Sequence, residues 1–212
     1  MAAAHSFAVL ARQASTLDLI SGGRFTLGVG GGWNVAEFQA QGIPPAERGA
    51  RTEDVIRACR ELWQPGLATY HGRWIDFQDV VCEPAPVTPG GPPVWWGGNA
   101  LKGPTKRRVV EFCAGWLSRE AADYDEIARS IETLKNGCRA VGRDPDSLGF
   151  RASVIPTDDW QAAASTGELF ERVLRNCEKL AAAGVTHFNI PQNYFRLELV
   201  DLAELLALLR AA

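Results

Sequence analysis

Arg24-Phe25-Thr26-Leu27-Gly28-Val29-Gly30-Gly31-Gly32-Trp33-Asn34 is the stretch from which the fold is read. Phe25, Leu27 and Val29 alternate with Thr26 and Gly28, the period-two pattern of a strand over 24–30. Glycines at the carboxyl end of a strand let the backbone come close to an anionic group and turn N–H donors toward it. Gly30, Gly31 and Gly32, followed by Trp33 and Asn34, are therefore the first candidate ligand site. The motif is not a dinucleotide fingerprint, because the third glycine of G-x-G-x-x-G falls at Trp33 or Val35. A tight turn without a ligand uses the same residues, so both readings stand at this point.

Outward from this strand the chain alternates helix and strand. Before it, Phe7, Leu10, Ala14 and Leu17 recur at helical spacing until Ser21-Gly22-Gly23 stops the pattern. After it, a loop from Gly31 to about Ala50 leads to Thr52 as a helix cap, with Glu53 and Asp54 in the first turn and a buried stripe of Val55, Ile56, Cys59, Leu62 and Trp63. Residues 66–92 form an insertion: a hairpin turning at His71-Gly72, then a proline-rich link. Val94-Trp95-Trp96 is a short buried strand and ends on Gly97-Gly98-Asn99, the second glycine-rich strand end. A helix over about 105–112, a strand at Gly115-Trp116-Leu117 and a long helix ended by Gly142 follow. Strand-like 148–155, an amphipathic helix running to Gly184, a strand over 185–190 and a helix over 199–209 complete the order. Strands alternating with helices pair in parallel through right-handed crossovers. That leaves an open doubly wound sheet or part of a (β/α)₈ barrel, and both place ligands at the carboxyl ends of the strands.

Composition bounds the function. The chain has 212 residues, 46% of them hydrophobic and 22% charged, with a net charge of −3. These values exclude a disordered or fibrous chain and predict one main domain over 1–212. A slightly acidic chain without a basic tract predicts no nucleic-acid partner, and no apolar run approaches the roughly 20 residues that span a bilayer. The beginning of the sequence does not read as a secretory signal. Five widely spaced cysteines, with neither CxxC nor a His/Cys cluster, predict reduced thiols, no metal site and a cytoplasmic protein. The absence of G-x-S-x-G, H-E-x-x-H and P-loop motifs removes the commonest hydrolase and NTPase readings.

Further candidates line the strand ends. Arg48, in Glu47-Arg48-Gly49, is placed to clamp a carboxylate or phosphate, although a solvated helix-entry cluster uses the same residues. Ser118 and Arg119 follow the Gly115–Leu117 strand at the same end of the sheet. His187 and Asn189 share one face of the last strand, either to position substrate and move a proton or as a hydrogen-bonded core pair. Gln192 and Tyr194 follow in the next loop. Trp33 is the tryptophan placed to face a planar ligand.

Taken in order, these pieces resemble a known family. Leu10-Ala11-Arg12-Gln13-Ala14, Thr16-Leu17-Asp18, Ser21-Gly22-Gly23-Arg24, Leu27-Gly28-Val29-Gly30, Gly32-Trp33-Asn34, Glu37-Phe38 and Glu47-Arg48-Gly49 resemble the bacterial luciferase-like monooxygenases. The likeness is to the branch that uses the deazaflavin coenzyme F420. His71-Gly72, Pro84-Ala85-Pro86, Pro92-Pro93-Val94-Trp95, Gly97-Gly98, Gly115-Trp116-Leu117 and Gly142-Arg143-Asp144-Pro145 continue the match. The resemblance implies a (β/α)₈ barrel with F420, or alternatively FMN, across the carboxyl ends of its strands. It implies that Gly31, Gly32, Gly97 and Gly98 meet the cofactor phosphate, with Trp33, Asn34 and Asn99 beside it. The implied chemistry is hydride transfer to or from a small organic substrate, or flavin-dependent oxygen insertion.

In that family the opening helix follows the third strand. The expectation is therefore an incomplete barrel of about five β-α units, corresponding to strands 4 to 8, with little activity by itself. The open sheet edge implies a homodimer or a partner chain that covers it, and a barrel remnant acting as a pairing subunit is the alternative function.

Overall fold

The first helix, α1 (Phe7–Ser21), stops because Gly22 takes a left-handed conformation at φ 62° and the Gly23 N–H turns back to the Asp18 carbonyl at 2.9 Å. In the computed structural model, residues 2–119, 123–154 and 166–190 are described, together with Ala203 and Ala207. The expected helix over 199–209 lies outside them except for those two alanines, which are helical. After α1 come β1 (Leu27–Gly30), α2 (Val35–Ala40), α3 (Arg48–Leu62), β2 (Ala68–His71), β3 (Asp76–Val80) and β4 (Val94–Gly97). Then follow α4 (Gly103–Phe112), β5 (Gly115–Leu117), α5 (Tyr124–Ala140), β6 (Gly149–Ser153), α6 (Thr166–Ala182) and β7 (His187–Asn189). Five strands hydrogen-bond in the order β1-β4-β5-β6-β7, with β1/β4 and β6/β7 parallel, while β2 and β3 form a separate antiparallel pair. This is an α/β fold whose five-stranded sheet matches part of a (β/α)₈ barrel.

The chain divides into two compact units, Met1–Gly98 with Arg107–Gly115, and Asn99–Lys106 with Trp116–Ala212. In the first, Val29, Val94 and Trp96 are buried with Val109 and Phe112, and the Trp96 and Phe112 rings meet edge to face at 6.1 Å. α3 buries Val55, Ile56, Cys59, Leu62 and Trp63, as its spacing predicts. Of its expected stripe α1 buries only Ala14, while Phe7 and Leu10 are half-buried. Its inward residues are Ala11, Ala14, Ser15 and Asp18, and Leu17 is exposed. The small side chains bring α1 close enough for the Trp63 indole N–H to donate to the Ala11 carbonyl at 3.1 Å. Asp18 accepts from the Thr88 N–H at 2.8 Å and its hydroxyl at 2.9 Å, which ties the proline-rich link to the helix.

Two local expectations are corrected. The expected loop 31–50 contains α2, and α3 begins at Arg48 rather than after Thr52. A turn in which the Glu47 N–H reaches the Pro44 carbonyl, at 2.9 Å, leads straight into α3. Thr52 therefore lies inside the helix and its hydroxyl donates to the Arg48 carbonyl at 2.8 Å instead of capping. The β2–β3 turn runs through Gly72–Ile75 because Asp54, buried on α3, holds it: its carboxylate accepts from the Tyr70 hydroxyl at 2.7 Å and the Trp74 N–H at 2.8 Å. A Cβ on Gly72 would lie 2.3 Å from the Asp54 Oδ1, so this turn accepts only glycine without rearrangement.

In the second unit α5 buries Ile127, Ile131, Leu134 and Cys138, and α6 buries Phe170, Val173, Cys177 and Leu180. The Tyr124 hydroxyl donates to the Asn176 Oδ1 at 2.8 Å and joins the two helices. β6 and β7 pair in the register Arg151↔His187, Ala152↔Phe188 and Ser153↔Asn189.

Candidate active site

The two glycine-rich strand ends lie side by side. Gly30 of β1 is the register partner of Gly97 of β4, and a Cβ on Gly30 would lie 3.2 Å from the Gly97 carbonyl oxygen. The chain leaves each strand through a conformation that side chains rarely adopt, Gly32 at φ 68° and Gly98 at φ 144°. Gly31 faces the base of α3, where the Arg48 side chain is 3.9 Å from the position its Cβ would take. Arg48 donates Nη1 to the Pro45 carbonyl at 2.9 Å, which keeps its guanidinium beside the glycine loop. Gly32 is exposed, and the Arg48 cation lies beside the loop, an arrangement that suits a phosphate.

Behind the loop, α3 and α4 are joined by an ionic knot that sequence reasoning missed. Glu53 receives Arg107 Nη2 at 2.5 Å, Arg108 Nε at 2.9 Å and Arg57 Nη2 at 3.0 Å. Burial works against the charge on Glu53, but the three guanidiniums outweigh it and hold the carboxyl at about 2, below the ordinary 4.5. Arg108 lies over the Trp96 ring at 5.0 Å and reaches within 3.3 Å of the point where a Gly49 Cβ would sit. Read locally, Glu53 complements the helix dipole; no nearby residue signals its partners on α4.

The other candidates divide. Trp33 is 89% exposed and available to a planar ligand. Asn34 is the cap of α2: its Oδ1 accepts from the Ala36 N–H and its Nδ2 donates to Glu37. Asn99 accepts from the Leu101 N–H at 2.9 Å, so both asparagines shape the loops that follow the strands. Ser118 extends the β5–β6 pairing by donating its N–H to the Arg151 carbonyl at 2.9 Å. Arg119 is engaged by the Glu126 carboxylate at 2.8 and 2.9 Å. Gln192 and Tyr194 lie outside the described residues.

His187 and Asn189 do not bond to each other. Asn189 donates to the Ser153 hydroxyl at 3.1 Å, and the His187 Nδ1 lies 2.8 Å from the Thr186 hydroxyl. Arg151 and Ser153 share their face of the sheet. A charged residue in the middle of an otherwise buried strand is the signal that would have singled out Arg151.

Comparison with known proteins decides the family. The luciferase-like monooxygenase family model matches residues 1–191. The chain belongs to this family. Among curated relatives, an uncharacterised Mycobacterium tuberculosis protein, Rv0953c, is 30% identical over 183 residues, covering 84% of this chain and 63% of that protein. The FMNH(2)-dependent dimethylsulfone monooxygenase of Pseudomonas putida is 28% identical over 159 residues, 74% of this chain and 43% of that enzyme. The chain thus spans less than two thirds of the length of either relative. Among solved structures, the coenzyme F420-dependent tetrahydromethanopterin reductase of Methanopyrus kandleri superposes with a TM-score of 0.68 at 17% identity, covering 88% of this chain and 73% of that one, and shares the fold.

Proposed function

We propose that this luciferase-like chain carries the phosphate cradle and part of the substrate wall of an F420-dependent oxidoreductase, with FMN as the alternative cofactor. The observation that carries the reading is the placement of Gly30 directly beside Gly97, with Gly32 and Gly98 in conformations suited to glycine. These residues fit the group: Gly31, Gly32 and Gly98 would hold its phosphate through the backbone, Arg48 would add charge, and Trp33 would lie along its planar part. When bound, the deazaflavin supplies hydride transfer, and FMN would supply oxygen insertion. The protein's own work is to fix the substrate against that ring and keep water out. The resemblance to the F420-using branch and the fold shared with an F420-dependent reductase favour F420; the dimethylsulfone monooxygenase is the argument for FMN. A cytoplasmic site of action accords with five free cysteines, all buried, and no helix among the described residues is long and apolar enough to cross a membrane.

The test is fluorescence titration of the chain with F420 and, separately, with FMN. Saturable binding that is tighter for F420 and falls at least tenfold in a Gly32→Ala, Gly98→Ala double variant is expected. An absence of saturable binding by either cofactor would overturn the reading.

A second reading is a pairing subunit with weak catalysis, in which another copy of this chain covers the sheet edge. It is favoured by β1 standing at the edge of the sheet and by exposed Val9, Leu17, Leu19 and Ile20 on α1. A monomer at every concentration in native mass measurement removes it.

A further inference from the structure

Parallel pairing of β6 with β7 gathers four polar side chains on one face. Side chains alternate along a strand, so Arg151 and Ser153 point to the same side, and their register partners His187 and Asn189 join them there. The opposite side carries Phe150 and Ala152, both buried. Neighbouring strands lie about 4.8 Å apart, which puts the Arg151 and His187 side chains within reach of one small ligand group.

The four residues differ in how they are satisfied. Asn189 and Ser153 bond to each other at 3.1 Å, and His187 is steadied by the Thr186 hydroxyl at 2.8 Å. Thr186 is itself held by the Phe150 N–H at 2.8 Å. Arg151 is half-buried, yet its guanidinium makes no hydrogen bond or ion pair among the described residues. Two other half-buried arginines, by contrast, are neutralised by carboxylates: Arg108 by Glu53 and Arg172 by Glu168. A guanidinium held partly out of water without a counter-charge is a cost to folding and adds nothing to it. Five N–H donors thus stand in a planar fork beside an imidazole and a carboxamide, with no carboxylate paired to them among the described residues.

We propose that Arg151 anchors an oxyanion site on this face, and that its ligand is the carboxylate of a small organic acid. A carboxylate matches the fork with two parallel N–H···O bonds, and His187, the register partner of Arg151, lies beside that fork. A phosphate would also be attracted by the charge, but it gains less from the planar geometry. The site gives the substrate class of the chain independently of its cofactor, since the anion binds to protein alone.

The experiment is a titration of the full chain, without cofactor, in which the histidine ring resonances are followed by NMR and His187 is assigned by its loss in His187→Gln. Acetate and inorganic phosphate are added separately at constant ionic strength. The expected result is a saturable shift of His187 with acetate, weakened about tenfold or more in Arg151→Gln and less in Arg151→Lys, which keeps charge but not the fork. Arg139→Gln, an exposed residue paired with Glu132, should leave it unchanged. No saturable shift in the wild-type protein, an unaltered response in a folded Arg151→Gln, or saturation by phosphate but not acetate would each overturn the proposal.

Discussion

At the ends of β1 and β4 the chain has removed its side chains, whereas along β6 and β7 it has gathered polar ones. Gly30, Gly31, Gly32, Gly97 and Gly98 offer backbone, whose position depends on what holds the strands and the loops behind them. Arg151, Ser153, His187 and Asn189 offer functional groups whose position depends on register alone. The first arrangement needs a rigid scaffold outside itself and finds it in the Glu53 knot between α3 and α4. The second is built into the sheet. Perturbing the glycine region should therefore cost stability first, and perturbing the polar face should cost ligand affinity first.

The largest effect is expected from Glu53→Gln. Removing the carboxylate takes the Glu53 charge away from Arg108, whose side chain is only 11% exposed. The expected loss is about 3 kcal/mol in denaturant unfolding, the scale for breaking a mostly buried pair. Arg57 and Arg107 are nearly half exposed and contribute less, because water and salt screen them. Acid provides a separate check. The Glu53 carboxyl titrates at about 2 in the fold against an ordinary 4.5, so its contribution is complete above 4.5 and is lost as the pH falls from there toward 2. Wild-type stability should decline through that window, and the variant should lack this part of the decline. An unchanged acid profile in Glu53→Gln would remove the knot as the scaffold of the glycine region.

Gly32→Ala comes next. A Cβ in the left-handed region costs roughly 1–2 kcal/mol, and Gly32 sits at φ 68°. The cost should appear in thermal unfolding together with weaker cofactor binding. A variant that binds as well as wild type would show that the loop conformation serves the turn and not the ligand.

The same contrast explains which parts were legible in the sequence. The strand ends were readable because glycines after an alternating run have a local cause, and β1 and β4 end where those glycines begin. α3 began a turn earlier than expected because Pro44, Pro45 and Gly49 mark a loop locally, while the Pro44–Glu47 turn feeds directly into a helix. In α1 the expected stripe of Phe7, Leu10, Ala14 and Leu17 shares only Ala14 with the buried one of Ala11, Ala14, Ser15 and Asp18. Hydropathy favours the larger side chains, but close approach to Trp63 selects the small ones. The α4 partners of Glu53 and the hairpin partners of Asp54 are set by tertiary contacts and leave no trace in spacing. Arg151 and His187 become neighbours only once the register of β6 on β7 is known, and no single-strand pattern contains it.

The smaller predictions separate the polar face from its surroundings. Ser153→Ala should cost about 1 kcal/mol, the ordinary worth of the hydrogen bond from Asn189, because the half-buried amide can turn to water in its place. Arg119→Ala should cost less still, below about 0.5 kcal/mol, although its contact with Glu126 has two short bonds. Arg119 is nearly half exposed, so the pair forms in water, where charges gain little over their hydration. Measured side by side in chemical unfolding, the two variants ask whether a candidate residue next to a strand end is scaffold or reserve. If Arg119→Ala were as costly as Ser153→Ala, its ion pair would be holding the start of α5 in place, and Arg119 would have to be reassigned from the ligand pocket to the scaffold. A small cost leaves the guanidinium free to exchange Glu126 for an incoming anion, which is what a pocket residue at the end of β5 requires.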